Sequence, residues 1–157
     1  MPFAAPFMLG PFLVDAQGRL APRDAEALPA FLFRWRGCAI RARLRPAQAD
    51  RGRLVLRGVL GRIPSSGDAT DLAGRAQCFT ILRGLPRLLP QHWQLMLLPD
   101  HRVLLESSAE VTLPITASGL LTELTVFLLT LAPYLDALVA LRSATPEPSG
   151  ASGSVKI

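Results

Sequence analysis

The sequence predicts an α+β fold in which one antiparallel sheet, built from two hairpins, carries helices on one face in the order ββ-α-ββ-α. Three observations support this prediction. Apolar and polar residues alternate through two long stretches in the first half of the chain, as is typical of strands. Proline and glycine clusters separate these stretches from two segments with helical spacing. Single helices between hairpin-length pairs of strands favour one antiparallel sheet.

Length and composition predict one domain. The chain has 157 residues, 50% of them hydrophobic, which is enough for an independent core. We expect the domain over residues 12–142, after an N-terminal arm at 1–11 and before a disordered Pro/Ser/Gly-rich tail at 143–157. Only Cys38 and Cys78 are cysteines, which predicts no disulfide framework and a reducing, cytoplasmic location. The prolines of the apolar N-terminus argue against a signal peptide.

The first hairpin is predicted from two alternating segments, Phe31 to Leu44 and Arg53 to Ile63. In the first segment the apolar phase shifts by one residue at Gly37. Either a β-bulge or a tight turn at this glycine produces such a shift. In both cases the arginines of the segment share one face.

The remaining elements are bounded by proline, glycine and capping residues. They are a short strand at Phe12 to Val14, a turn at residues 15–18, a helical turn at Arg23 to Leu28, a helix from Asp68 or Thr70 to about Leu85, and a second hairpin of Trp93 to Leu98 with Arg102 to Val111. The last predicted element is the C-terminal helix.

That helix is predicted over Leu120 to Leu141, the longest apolar segment of the chain. Its charges are Glu123 and Asp136, each of which would cost roughly 2.5–3.5 kcal/mol near a bilayer centre. We therefore expect no membrane span. Thr116 or Ser118 is suited to cap the N-terminus.

Pro133 should kink the C-terminal helix or split it near Ala132. Because the helix is apolar around most of its circumference, we expect a sheet on one side and a second subunit on the other. The residues predicted to form this dimer or client surface are Leu121, Phe127, Leu128, Tyr134 and Leu138.

Positive charge is concentrated in the first part of the chain. The net charge is +5; residues 1–62 hold 11 arginines and 4 acids, a net +7, and residues 63–157 hold 6 basic residues and 8 acids, a net −2. The strand arginines define a predicted partner-binding surface, the arginine face: Arg34, Arg36, Arg41, Arg43, Arg45, Arg53 and Arg57. A solvated sheet face is the alternative interpretation.

An acidic segment of a client protein is the partner that we expect for the arginine face. Nucleic acid is less favoured, because sheets that bind it usually carry aromatic residues for base stacking. Trp35 is the one candidate, and its phase places it with the apolar residues.

No catalytic or metal-binding signature is present. His92 and His101 are the only histidines, and no CxxC or HxxxH spacing occurs. Asp100 and His101, followed by Ser107 and Ser108, are not accompanied by the G-x-S-x-G nucleophile elbow of a hydrolase. An Asp-His pair is ordinary in a turn. We therefore predict no metal, no cofactor and no enzymatic activity.

The order of elements from Arg53 to Leu141 resembles that of the type III secretion chaperones and of the YbjN-like proteins. The matching features are Leu-Gly-Arg-Ile-Pro after the strand, Ile-Leu-Arg-Gly-Leu at the end of the helix, the polar turn Pro-Asp-His in the second hairpin, and Leu-Pro-Ile-Thr before the last helix. The resemblance implies a cytoplasmic homodimer without catalysis. It implies that sheet edges and apolar grooves bind an extended client segment.

We therefore predict a non-catalytic, chaperone-like module that holds an extended segment of a client protein. The alternatives are a binder of nucleic acid or another polyanion, through the arginine face, and a structural subunit of a larger assembly, docked through the N-terminal arm.

Overall fold

The computed structural model describes residues 5–64 and 72–138. In this part of the chain eight strands and two helices follow one another: β1 (Phe7–Leu9), β2 (Phe12–Val14), β3 (Leu20–Pro22), β4 (Ala30–Trp35), β5 (Cys38–Gln48), β6 (Arg51–Arg62), α1 (Leu72–Gly84), β7 (Trp93–Leu97), β8 (Arg102–Thr112) and α2 (Ala117–Ala137). A short 3-10 helix at Leu85–Arg87 follows α1.

The first three strands form a small antiparallel sheet in the order β1-β2-β3. The carboxylate of Asp15 closes the β2–β3 turn by accepting the backbone N–H of Arg19 at 2.8 Å. The backbone N–H of Leu20 donates to the Ile115 carbonyl, and that of Ala117 to the Gly18 carbonyl, both at 2.8 Å. The small sheet is therefore attached to the start of α2.

The other five strands form an antiparallel sheet in the order β4-β5-β6-β8-β7. Side chains alternate between its two faces. The residues facing the core are Cys38, Ile40, Ala42 and Leu44 from β5, Leu54, Leu56 and Leu60 from β6, and Val103, Leu105 and Val111 from β8. We call the opposite face the outer face.

Both helices contribute buried residues to this core. On α2, Leu131 and Leu135 are fully buried, and on α1 Cys78 is buried. Thr116 caps α2 by accepting the backbone N–H of Gly119 at 3.0 Å. The helix continues through Pro133 without the split that its sequence allowed.

A tight turn produces the phase shift between β4 and β5. Trp35 pairs with Cys38, and the two residues between them both have positive φ, 47° at Arg36 and 75° at Gly37. This is the geometry of a two-residue hairpin turn, which matches the twist of the strands. The bulge alternative therefore does not apply.

The predicted α+β class is confirmed, whereas the predicted order of elements is not. The chain has eight described strands in two sheets, and β4, β5 and β6 form a three-stranded meander. Residues 23–27 form bends, so the predicted helical turn at Arg23 to Leu28 is not formed. The described helix α2 ends at Ala137. The predicted tail at 143–157, the helix caps at Asp68 and Thr70 and residues 139–141 of the predicted last helix lie outside the described residues.

We expect Gly37→Ala to lower the free energy of unfolding by about 1 kcal/mol, because an L-residue in the left-handed region is strained. Gly84→Ala is the matched control, since Gly84 has a helical φ of −79° and no atom lies within 4 Å of the place that an added Cβ would occupy. Urea denaturation of both variants measures the difference. Equal stability of the two variants would contradict the turn.

Candidate functional site

Strand β8 extends well beyond its neighbour β7. The two strands pair from Trp93 opposite Ser107 to Leu97 opposite Val103, and the chain turns away before Trp93, whose N–H donates to the Pro90 carbonyl at 3.0 Å. On its other side β8 pairs with β6 as far as Thr112. Within residues 5–64 and 72–138, no strand covers the β7 side of residues 108–112, which we call the open edge.

A groove of about 690 Å³ lies between the open edge and α2. Its lining includes Trp93, Ser107, Ala109, Val126, Phe127 and Thr130. The ring of Trp93 stacks on that of Phe127, with centroids 5.0 Å apart, and lies 6.2 Å from the ring of Tyr134. The groove therefore has an aromatic floor beside a backbone edge.

The rim of the groove carries charge of both signs. Arg53 and His92 line it together with Glu110 and Glu123. Glu110 lies 4.0 Å from Arg51 in an exposed ion pair, which contributes little to stability. The open edge itself offers backbone N–H and C=O groups, so this site is suited to an extended segment that adds a strand to the sheet.

The predicted arginine face is present on the outer face with one exception. Strand register places Arg34, Arg41, Arg43, Arg45, Arg53 and Arg57 there, opposite the core residues. Arg36 lies in the β4–β5 turn, where its guanidinium is 3.3 Å from the Asp136 carboxylate and 5.1 Å from the ring centroid of Trp35. It therefore belongs to the α2 side.

Like charges stand directly opposite each other on the outer face. Arg41 pairs with Arg57, and Arg45 pairs with Arg53; such cross-strand pairs are destabilising. Arg57 is compensated by an ion pair with Glu106. Among the described residues, no carboxylate lies within 4 Å of Arg41, Arg45 or Arg53. Arg53 stands opposite Glu110 on β8, and this cross-strand pair of opposite charges offsets part of its charge. The repulsion at Arg41 and Arg45 is what an anionic partner would relieve.

The predicted apolar surface of α2 is divided between the core and the exterior. Phe127 and Leu138 are buried in their own chain, at 3% and 0% exposure, and Leu121 is 61% exposed. Leu128 and Tyr134 are partly buried against the core, and the Tyr134 hydroxyl donates to the Leu88 carbonyl at 2.6 Å. Leu121 is thus the member of this set that stands open to a partner.

The exposed side of α2 is uncharged over most of its length. Its exposed residues are Ser118, Leu121, Thr122, Thr125, Val126, Leu129, Pro133 and Asp136. Thr122 and Thr125 donate their hydroxyls to carbonyls of the preceding turn, at 3.0 and 2.8 Å, so their donors are satisfied within the helix. This side of α2 therefore behaves as an apolar surface.

Helix α2 is long and apolar enough to cross a membrane, by length and composition alone. Of its most apolar stretch, 22% is buried in this chain. The buried residues of α2 nevertheless pack in the same hydrophobic core as the sheet. A core helix of a globular domain packs in the same way.

The residues considered for catalysis are not brought together. Asp100 and His101 lie in the β7–β8 turn, and Ser107 is six residues along β8, about 20 Å away in an extended strand. Desolvation raises the pKa of the Asp100 carboxyl, but hydrogen bonds from the backbone N–H and the guanidinium of Arg102 lower it by more. The pKa of Asp100 therefore lies below its ordinary value. Across residues 5–64 and 72–138, no three His, Cys, Asp or Glu side chains gather as a metal site would require.

Comparison of the chain with protein-family models, with curated proteins and with solved structures finds no match in any of the three. The resemblance to the type III secretion chaperones and YbjN-like proteins therefore stays a prediction from the sequence.

Sequence reasoning did not identify the open edge. The signal was the unequal length of the second predicted hairpin, in which Trp93 to Leu98 faced the longer Arg102 to Val111. A strand that outruns its partner leaves unpaired backbone groups, and residues 108–111 could have been identified on this ground.

We expect Arg41→Gln to raise the free energy of unfolding by a few tenths of a kcal/mol at low salt, since it removes a like-charged cross-strand pair. Arg57→Gln also removes that pair but loses the ion pair with Glu106, so it should give no gain. Denaturant titrations in low salt and in about 1 M salt, where the Debye length is about 3 Å, measure both. A destabilising Arg41→Gln would contradict the repulsion.

Proposed function

We propose that this chain is a non-catalytic, chaperone-like protein-binding module that holds an extended segment of a client protein along the open edge of β8. The observation that carries the proposal is the open edge itself, five residues of strand beside a groove with an aromatic floor. An added strand gains backbone hydrogen bonds from such an edge, and alternate side chains gain apolar contacts.

The residues around the groove favour a client segment in which apolar and polar side chains alternate. Trp93, Phe127 and Val126 present apolar surface on the core side of the edge. Ser108 and Glu110 lie on the outer side of the strand, beside Val55 and Arg53. A segment paired with residues 108–112 would place every second side chain over the aromatic rings and the others over polar groups.

A groove-filling substitution tests this proposal. Peptides selected against the wild-type protein from a random library serve as probes, and fluorescence anisotropy measures their Kd. We expect Thr130→Trp to raise the Kd about tenfold or more. The larger side chain occupies the groove and so removes the client's central contacts, whose loss is costly at an interface. Thr80→Trp, on the exposed side of α1, should leave it unchanged.

Backbone pairing has its own readout. Methylation of alternate backbone nitrogens in a selected peptide should abolish binding in one of the two registers and not in the other, since only alternate amides point at the edge. Peptides that tolerate both methylation patterns, or that bind Thr130→Trp as well as the wild type, would refute the proposal.

The proposal includes a cytoplasmic homodimer that uses the exposed side of α2. In an antiparallel pair of α2 helices related by a two-fold axis at Thr125, Leu121 of each copy faces Leu129 of the other, because both lie four residues from the axis. These leucines are 61% and 68% exposed. Such an isologous contact is the commonest form of self-association.

We expect light scattering to give the mass of a dimer for the wild type at micromolar concentration and in high salt. The double variant Leu121→Glu/Leu129→Glu should be a monomer, because burying carboxylates at the contact is unfavourable. The controls are Leu72→Glu and Leu88→Glu. These two leucines lie outside α2 and are 62% and 71% exposed. A wild-type monomer removes the dimer and leaves the edge proposal standing.

Binding of nucleic acid or another polyanion is the second candidate function. It is favoured by the like-charged pairs Arg41–Arg57 and Arg45–Arg53. Contacts of this kind to phosphates would weaken steeply with salt. No aromatic residue of the described strands faces outward beside these arginines, so base stacking gives the second candidate no support.

A further inference from the structure

An apolar row crosses the outer face from strand to strand. Val59 pairs with Leu104, and Leu104 pairs with Met96. Ala39 lies beside Val59, because the neighbouring residues Ile40 and Gly58 pair. All four residues of the row, Ala39, Val59, Leu104 and Met96, are partly exposed, and none belongs to the core cluster.

Arginines flank this apolar row on both sides. Arg41 and Arg57 form one flank, two residues along their strands from Ala39 and Val59. Arg62 and Arg102, which pair directly with each other, form the opposite flank. Arg57 and Arg102 have ion pairs with Glu106 and Asp100. The Arg62 guanidinium donates to the Asp100 carbonyl at 3.0 Å, and within the described residues Arg41 has no ion pair.

The dimensions of this surface match an α-helix. The two flanks are about four residues apart along a strand, roughly 13 Å, and an α-helix with side chains is about 10–12 Å across. The row crosses four adjacent strands, β5, β6, β8 and β7. With neighbouring strands about 4.8 Å apart, the row is roughly 15–19 Å long, depending on whether the width of the first and last strand is included. About 10–13 helical residues cover that length.

We propose that the outer face binds an amphipathic helix of a partner protein, with an apolar stripe flanked on both sides by Asp or Glu. The stripe packs on Ala39, Val59, Leu104 and Met96, and the flanking carboxylates meet Arg41 and Arg62. Charge complementarity selects this occupant, because a net positive surface on both sides of an apolar row rejects a basic helix. The proposal goes beyond client binding at the open edge, which uses the edge of β8 and the groove beside α2.

Other anionic occupants fit the surface less well. A phosphate backbone would meet the arginines but would leave the apolar row against charged groups. A bilayer surface is broad and flat, whereas the row is one residue wide between charged side chains. An acidic amphipathic helix matches the row and both flanks together.

The test uses fluorescently labelled synthetic peptides of 14 residues, made helical by a side-chain staple. The first has leucines at i, i+3, i+4 and i+7 with glutamates on both sides of the stripe. The second has lysine at each glutamate, and the third has the first composition in an order without a stripe. We expect the first to bind the full chain at least about tenfold more tightly than either comparator.

Variants locate the binding on the outer face. Leu104→Ser and Met96→Ser should each weaken binding of the first peptide about fivefold to tenfold through lost apolar contact, and Met96 lies on an edge strand where a change is better tolerated. Arg41→Glu and Arg62→Glu should weaken it by at least as much. Arg83→Glu, on exposed α1, should not, and thermal unfolding verifies that each variant is folded.

Thr130→Trp separates this proposal from the edge proposal, since it fills the groove and leaves the outer face intact. We expect it to bind the first peptide normally. Equal binding of the first and third peptides overturns the proposal. So does tighter binding of an oligonucleotide or of anionic vesicles that depends on Arg41 but not on Leu104 or Met96.

Discussion

The pairing of β6 with β8 is the contact on which both candidate surfaces depend. It runs from Arg51 opposite Thr112 to Arg62 opposite Arg102, so it holds β8 in place along its whole length. Because β8 is secured on this side, it can extend beyond β7 and remain a strand. The same register sets Val59 beside Leu104 and aligns the arginines on either side of them.

The core explains why the opposite face of the sheet is free. Leu131 and Leu135 of α2 and Ile40 and Leu105 of the sheet are fully buried, and each such side chain contributes about 1.5–3 kcal/mol when it leaves water. Within the described chain both helices pack on this side. Among residues 5–64 and 72–138, no helix covers the outer face.

The sequence predicted the features that have a clear period. Alternation from Phe31 to Leu44 identified β4 and β5, and alternation from Arg53 to Ile63 identified β6. The strand arginines other than Arg36 followed from these patterns. The small strands β1 and β3 were missed because three residues carry no measurable period. Arg36 was assigned to the arginine face because its positive φ in the turn leaves no trace in the alternation.

For α2 the apolar pattern predicted the helix but not its orientation. A helix that is apolar on most sides does not reveal which side meets the sheet, so Phe127 and Leu121 were assigned to one surface although they lie on opposite sides. The open edge depended on the relative length of two strands, β7 and β8. The apolar row depended on the register of four strands, which alternation within each strand does not determine.

Amide hydrogen exchange of the free protein, followed residue by residue by NMR, tests the central claim that β8 has an open edge. We expect slow exchange for the β8 amides that point to β6, and for those that point to β7 as far as Ser107. Among residues 108–112, every second amide should exchange quickly, because it faces the groove. Uniform protection of all five amides would show that the edge is already covered and would contradict the account.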